Sequence, residues 1–143
     1  MSIESIALWH KRARPNPREI HFNIQLGCHF EEICEMLAVV NTTHNDTLIR
    51  ARSALAWLAH GLKTGSVGAT ITDRKEFLDA CADQVVTSLG AAYTAGMDGA
   101  KAVSVVNLSN WSKFDVDGQP IFNENGKITK GPGYMPPDLT GLY

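Results

Sequence analysis

The residues of this chain best suited to chemistry are three glutamates on one predicted helix. The stretch Gln25–Leu37, QLGCHFEEICEML, sets Glu31, Glu32 and Glu35 inside a strongly apolar helical pattern. On a helix turning about 100° per residue, Leu26, Phe30, Ile33, Leu37 and Val40 fall in a stripe about 80° wide, the expected core face. Glu31 and Glu35 lie one turn apart outside that stripe, and Glu32 precedes Glu35 by a turn. Two or three carboxylates can therefore converge on one point from a single rigid element. Without a cation they repel one another.

A second acidic row follows in Asp73–Leu89, DRKEFLDACADQVVTSL. There Leu78, Cys81, Val85, Leu89 and Ala92 form the apolar stripe, and Glu76, Asp79 and Asp83 form a narrow acidic one. If the two helices pack antiparallel, four or more oxygen ligands face each other across a groove, which suits a hard divalent cation such as Mg²⁺. A cation held in that way also binds phosphate. An EExxE spacing alone is common on solvated helix faces; the second row and the C-terminal segment turn the balance toward a metal site.

On these residues the chain resembles the all-α NTP pyrophosphohydrolases of the MazG-like group, related to the phosphoribosyl-ATP pyrophosphohydrolases and dimeric dUTPases. Their hallmark is EExxE followed a helix later by ExxD. Glu31, Glu32 and Glu35 match the first half in full, and two alignments compete for the second. Glu76 and Asp79 satisfy ExxD literally. Alternatively DQVVTSLGAAYTAGMD, from Asp83 on, resembles the family stretch that starts at the motif Asp, which leaves Ala80 at the motif Glu and Asp79 as a substitute acid. The tail VNLSNWSKFDVDGQPIFNENGKITKGPGYMPPDL resembles the C-terminal segment of phage-type and small bacterial members, so the resemblance spans roughly Pro15 to Leu139.

The resemblance implies a Mg²⁺-dependent hydrolase, with Mn²⁺ as an alternative ion, that cleaves an NTP or dNTP to the monophosphate and pyrophosphate. It implies Glu32, Glu35, Asp79 and Asp83 as metal ligands, Glu31 or Glu32 as general base, and a homodimer or homotetramer as the working unit. The expected fold is all-α, a four- to five-helix bundle with an irregular tail that can contain a hairpin. The rival expectation, prompted by Ala80, is a catalytically inactive helical nucleotide-binding or regulatory oligomer.

Composition narrows the remaining classes. A chain of 143 residues suits one domain, residues 1–143, with a helical core over about 17–110 and a tail over about 111–143. A net charge of -2 provides no overall basic field, so neither nucleic acid nor an anionic membrane is an expected partner. No apolar run approaches a membrane span and no secretory leader is evident, so the expected location is the cytoplasm. Cys28, Cys34 and Cys81 lack paired metal-ligand spacing and read as reduced packing residues.

The elements that must position the carboxylates follow in order. Ile3–Arg14 reads as a short helix or an arm ending in the basic cluster Lys11, Arg12 and Arg14, which is either a solvated face or a phosphate contact. A helix over about Pro17–Val40 contains Gly27, unfavourable there by about 1 kcal/mol relative to Ala, which permits close helix packing or a substrate at the backbone. Asn45 or Asp46 can cap a further helix to about Lys63 with Leu48, Ala51, Leu55 and Leu58 as its stripe, stopped by Gly61 and Gly65. Asp73 with Glu76 resembles a capping box. Asp98 can start a helix through about Leu108 with Ala100, Val103 and Val106 as core.

Beyond Asn110 the turn signals Asp117-Gly118 and Asn125-Gly126 bracket a possible hairpin over Pro120–Thr129. The tail's Trp111, Phe114, Ile121, Phe122, Ile128 and Tyr134 indicate that it packs rather than remaining disordered. Candidate substrate contacts are the ammonium groups of Lys63, Lys101 and Lys113, the polar run Asn107, Ser109 and Asn110, and the amides of Asn23 and Gln25.

Overall fold

Gly27 decides how the helix bearing the acidic row packs. In the computed structural model, which describes residues 3–143, that helix is α2, Glu19–Ala38, and it packs against α3, Asn45–Thr64. A Cβ built on Gly27 would lie 2.8 Å from the Ala59 carbonyl oxygen, 2.8 Å from Lys63 Cγ and 3.1 Å from Leu62 Cβ. Only a residue without a side chain lets the two backbones come this close. Close helix packing, the first of the two roles open to this glycine, is therefore what the structure uses.

The pairing of Gly27 with Ala59, Leu62 and Lys63, and of Cys34 Sγ with the Arg52 carbonyl at 3.7 Å, shows that α3 runs antiparallel to α2. Leu62, 1 % exposed, and Ala59 lie at the centre of this hairpin, with Leu26, Phe30, Ile33, Leu37, Leu55 and Leu58 half-buried around them. The α3 stripe thus continues one turn past Leu58, where the contact with Gly27 is tightest. Val40 falls beyond the end of α2 and is exposed. Asn45 begins α3 rather than capping it, its Oδ1 accepting from the Thr42 N–H at 2.9 Å. The helix ends not at Gly61 but at Gly65, whose φ of 80° needs no Cβ.

The remaining helices are α1, Ile3–Ala13, α4, Arg74–Thr94, and α5, Gly99–Trp111. Two compact units result: α2 and α3 within Asn16–Thr70 with Glu124–Lys127, and α1, α4, α5 and most of the tail in the other. Asp73 caps α4 by accepting from the Glu76 N–H at 3.0 Å, and Asp98 caps α5 by accepting from Lys101 N–H at 2.9 Å. The Glu76 side chain pairs with Lys75 at 2.9 Å rather than closing a capping box.

In this second unit the core is aromatic. Trp9 of α1 stacks on Phe114 with centroids 5.9 Å apart, Trp111 meets Phe114 edge-on at 5.6 Å, and Ala13 and Ile128 complete the cluster. The Trp9 indole N–H donates to the Asn110 carbonyl at 2.8 Å. The basic cluster holds the tail, a role neither sequence reading contained. Arg12 Nε donates to the Gly118 carbonyl at 2.9 Å, and the Arg14 guanidinium lies 3.9 Å from the centre of the Phe122 ring. Gly118 has φ 71°, and a Cβ there would run into the Arg12 guanidinium.

The expected hairpin is reduced to one antiparallel bridge, Phe122 with Ile128, and the Thr129 N–H donating to the Ile121 carbonyl at 2.8 Å. On α5 the expected core positions Ala100, Val103 and Val106 are exposed, and Asn107 and Ser109 are buried instead. The polar face goes inward because α1 and the tail supply partners there, Ser5 Oγ for Asn107 and the Met135 carbonyl for Ser109. On α4 no residue is buried; Leu78 is 71 % and Tyr93 80 % exposed, and Cys81 is also exposed. Among the described residues no helix is long and apolar enough to cross a membrane.

Gly27→Ala is expected to destabilise the protein by about 1–2 kcal/mol, because the clash with a backbone carbonyl outweighs the gain of about 1 kcal/mol in helix propensity. A lower urea midpoint with an unchanged slope checks this; a midpoint at or above that of the parent protein would refute the close-contact reading.

Candidate active site

One turn beyond Gly27 on the same face of α2 stands Glu31, and the lysine stem that Gly27 makes room for reaches it. Lys63 Nζ donates to Glu31 Oε1 at 2.5 Å, and Lys127 Nζ, from the turn after Asn125-Gly126, donates to Oε2 at 3.0 Å. The three side chains are 32 %, 23 % and 47 % exposed in the order Glu31, Lys63, Lys127, so solvent and solutes reach all of them. Lys63, a candidate phosphate contact, is thus engaged by a candidate base.

The hydrogen bond from Lys63 holds the Glu31 carboxyl below the ordinary glutamate range, with Lys127 adding to the effect against partial burial. A carboxylate so stabilised is a weaker proton acceptor. Its own hydrogen bond to Glu31 raises the Lys127 ammonium against partial burial. Burial raises the Cys28 thiol, Lys127 opposing, so this cysteine is not an activated nucleophile.

Glu32 and Glu35 follow one turn apart and exposed, and among the described residues neither makes an ion pair or a hydrogen bond through its carboxylate. Asp79 and Asp83 are also exposed, one turn apart on α4. Among the described residues no three of His, Cys, Asp or Glu gather closely enough to enclose a metal ion. Two carboxylates from one helix nevertheless suit Mg²⁺, which is held by one or two carboxylates together with phosphate oxygens and water rather than by an all-protein cage. The hard oxygen donors of α2 fit that ion.

The other sequence candidates divide by what they touch. Asn23 is buried and its Oδ1 accepts from the Ala69 N–H at 3.1 Å, bracing the segment after α3. Gln25 is exposed on α2, and Lys101 is exposed in the first turn of α5. Asn107 Nδ2 donates to Ser5 Oγ at 3.2 Å, and Ser109 Oγ donates to the Met135 carbonyl at 2.7 Å. The Asn110 carbonyl accepts from Trp9, and that of Lys113 from the Gly131 N–H at 3.1 Å. The polar run from Asn107 to Lys113 is therefore the joint of α5 with α1 and the tail. Lys127 is the residue that sequence reasoning missed. The Asn125-Gly126 turn was legible, but nothing in a turn signal says which carboxylate the next side chain meets.

The Glu31 ion pairs set a pH dependence with a definite sign. A carboxyl whose folded pKa lies below its ordinary value of 4.5 adds stability that is present above that value and lost as pH falls through the folded pKa. Glu31→Gln should therefore be less stable than the parent at about pH 7, with the gap closing as pH falls below 4.5. Urea unfolding across that range checks it, and a pH-independent gap would exclude the ion pairs as its cause.

No family model matches the chain. No curated protein matches it. Among solved structures the chain is similar to the crystal structure of a protein from Exiguobacterium sp. 255-15 assigned as an NTP pyrophosphohydrolase. The two share 22 % identity with a TM-score of 0.60, over 94 % of this chain and 87 % of the other. At that identity the likeness concerns the fold, and it identifies the helices of the described residues as an all-α arrangement of known type.

Proposed function

We propose that this chain is a Mg²⁺-dependent nucleoside triphosphate pyrophosphohydrolase that converts an NTP or dNTP to the monophosphate and pyrophosphate. The observation that carries the reading is the α2 row, where Glu32 and Glu35 stand exposed, without an ion pair among the described residues, beside a glutamate that gathers two lysines. Such a face offers carboxylates for a cation and ammonium groups for phosphate oxygens within one and a half helical turns. The fold likeness to a protein assigned as an NTP pyrophosphohydrolase adds to it.

In this proposal Glu32 and Glu35 hold Mg²⁺ or Mn²⁺, and Asp79 and Asp83 are the further ligands implied by the motif. The ion supplies charge neutralisation of the triphosphate and a more acidic water. The base takes a proton from the water that attacks the α-phosphorus, the bond from that phosphorus to the α–β bridging oxygen breaks, and pyrophosphate leaves. Of the two candidate bases we favour Glu32, which would take the proton through the carboxylate oxygen not given to the ion, because Glu31 is committed to Lys63 and Lys127. The uncovered apolar residues of α4, Leu78, Val85, Val86 and Tyr93, favour a homodimer or homotetramer as the working form, since patches of that kind mark association surfaces.

The alignment that begins the second motif's Asp at Asp83 leaves Ala80 at its Glu position, and on that alignment the alternative is a nucleotide-binding oligomer without catalysis. Pyrophosphate release from the common NTPs and dNTPs, with Mg²⁺ and with EDTA, separates the two. Magnesium-dependent pyrophosphate release is expected, and Glu35→Gln should lower kcat/KM by roughly 10²–10³-fold with an unchanged circular dichroism spectrum. A fully active Glu35→Gln protein would sink the assignment of Glu35, and silence across the panel would favour the binding reading.

A further inference from the structure

The convergence of Lys63 and Lys127 on a single carboxylate is more than an ordinary surface pairing. Exposed ion pairs contribute about 1 kcal/mol or less, so the arrangement is a weak device for holding the fold together. Its geometry is that of an anion clamp. One ammonium group comes from the last turn of α3 and the other from the turn after Asn125-Gly126, and each takes a separate oxygen of Glu31. A phosphoryl group presents the same paired oxygens with up to about twice the charge, and lysine binds phosphate readily as a point charge.

Glu31 is followed directly by Glu32 and, a turn later, by Glu35, the carboxylates that make no ion pair among the described residues. A polyphosphate carrying a divalent cation has the complementary pattern, phosphate oxygens for the lysines and the cation for the glutamates. Lys127 is the more exposed of the two lysines, so it can change partner without unpacking a core.

We propose that Lys63 and Lys127 form a polyphosphate-binding pair for which Glu31 is the internal competitor, the carboxylate and the phosphate oxygens contending for the same two ammonium groups. The identity of the polyphosphate as that of a nucleotide rests on the pyrophosphohydrolase reading; the pair itself rests on the geometry. Glu31 then acts as a positioning residue. It keeps two mutually repelling lysines together, and it penalises weakly charged ligands that cannot displace it.

The test uses inorganic tripolyphosphate, titrated in excess EDTA into the full chain and followed by calorimetry. Lys127→Met should weaken binding about tenfold, the scale of one charge-assisted hydrogen bond, and Lys127→Arg should retain most of it. Glu31→Gln should bind several-fold more tightly, which a merely structural glutamate would not do. Lys130→Met, whose ammonium lies 4.8 Å from the centre of the Tyr134 ring, serves as the charge-matched control and should bind as the parent does.

Unchanged affinity in Lys127→Met, weaker binding by Glu31→Gln, equal loss in Lys130→Met, or no binding by the parent protein would each overturn the proposal. Turnover of NTP is measured alongside. Tripolyphosphate bound through Lys127 in a chain that hydrolyses no NTP would sink the enzymatic reading and leave the pair standing. Turnover with an unchanged KM in Lys127→Met would do the reverse.

Discussion

The approach of α3 to the backbone of α2 at Gly27 is the constraint on which the candidate site depends. Because no side chain intervenes, the Ala59 carbonyl, Leu62 and the stem of Lys63 lie directly against α2. That contact spends the glycine's poor helix propensity on proximity. One turn further on, the same proximity brings the Lys63 ammonium to Glu31. Packing and electrostatics are thus coupled through one helical repeat: the position that removes a side chain and the position that carries the charge are four residues apart on one face.

A second set of contacts governs the tail, and it is chemically different. Arg12 and Arg14 leave the end of α1 and hold the segment beyond α5 by a carbonyl and by an aromatic face. Trp9, Phe114 and Trp111 form the apolar part of that joint, while Asn107, Ser109 and Ser5 form a buried polar part. A helix face that carries Asn and Ser can go inward only where the neighbour returns hydrogen bonds, because an unpaired buried polar group costs about 1–3 kcal/mol. The α1 hydroxyl and the tail carbonyl meet that condition, which leaves Val103 and Val106 of α5 facing outward.

Charge on α2 is distributed by the same logic. Glu31, nearest the α3 contact, has two ammonium partners, whereas Glu32 and Glu35 have none among the described residues. Of these three glutamates one is neutralised by the protein, and the other two are the cation ligands of the proposed site. The motif therefore divides into a phosphate-facing part and a cation-facing part in the proposed site.

The sequence by itself determined helices α2 to α5 within a few residues, the Asp73 and Asp98 caps, and the Asp117-Gly118 and Asn125-Gly126 turns, and it left Ile3–Arg14 open between a helix and an arm. Each of these is local, written in helical periodicity, in a side chain that can reach a nearby N–H, or in a dipeptide that tolerates positive φ. What only the tertiary structure decided is which faces meet. Gly27 was legible as an anomaly but not as the contact with α3, Arg12 and Arg14 read as a solvated face or a phosphate contact but hold the tail, and Ala100, Val103 and Val106 were expected inside where Asn107 and Ser109 lie. The pairing of Glu31 with Lys127 joins residues far apart in the chain. No periodicity encodes it, because partners of that kind are chosen by packing and hydrogen-bond satisfaction across the fold rather than by propensity along it.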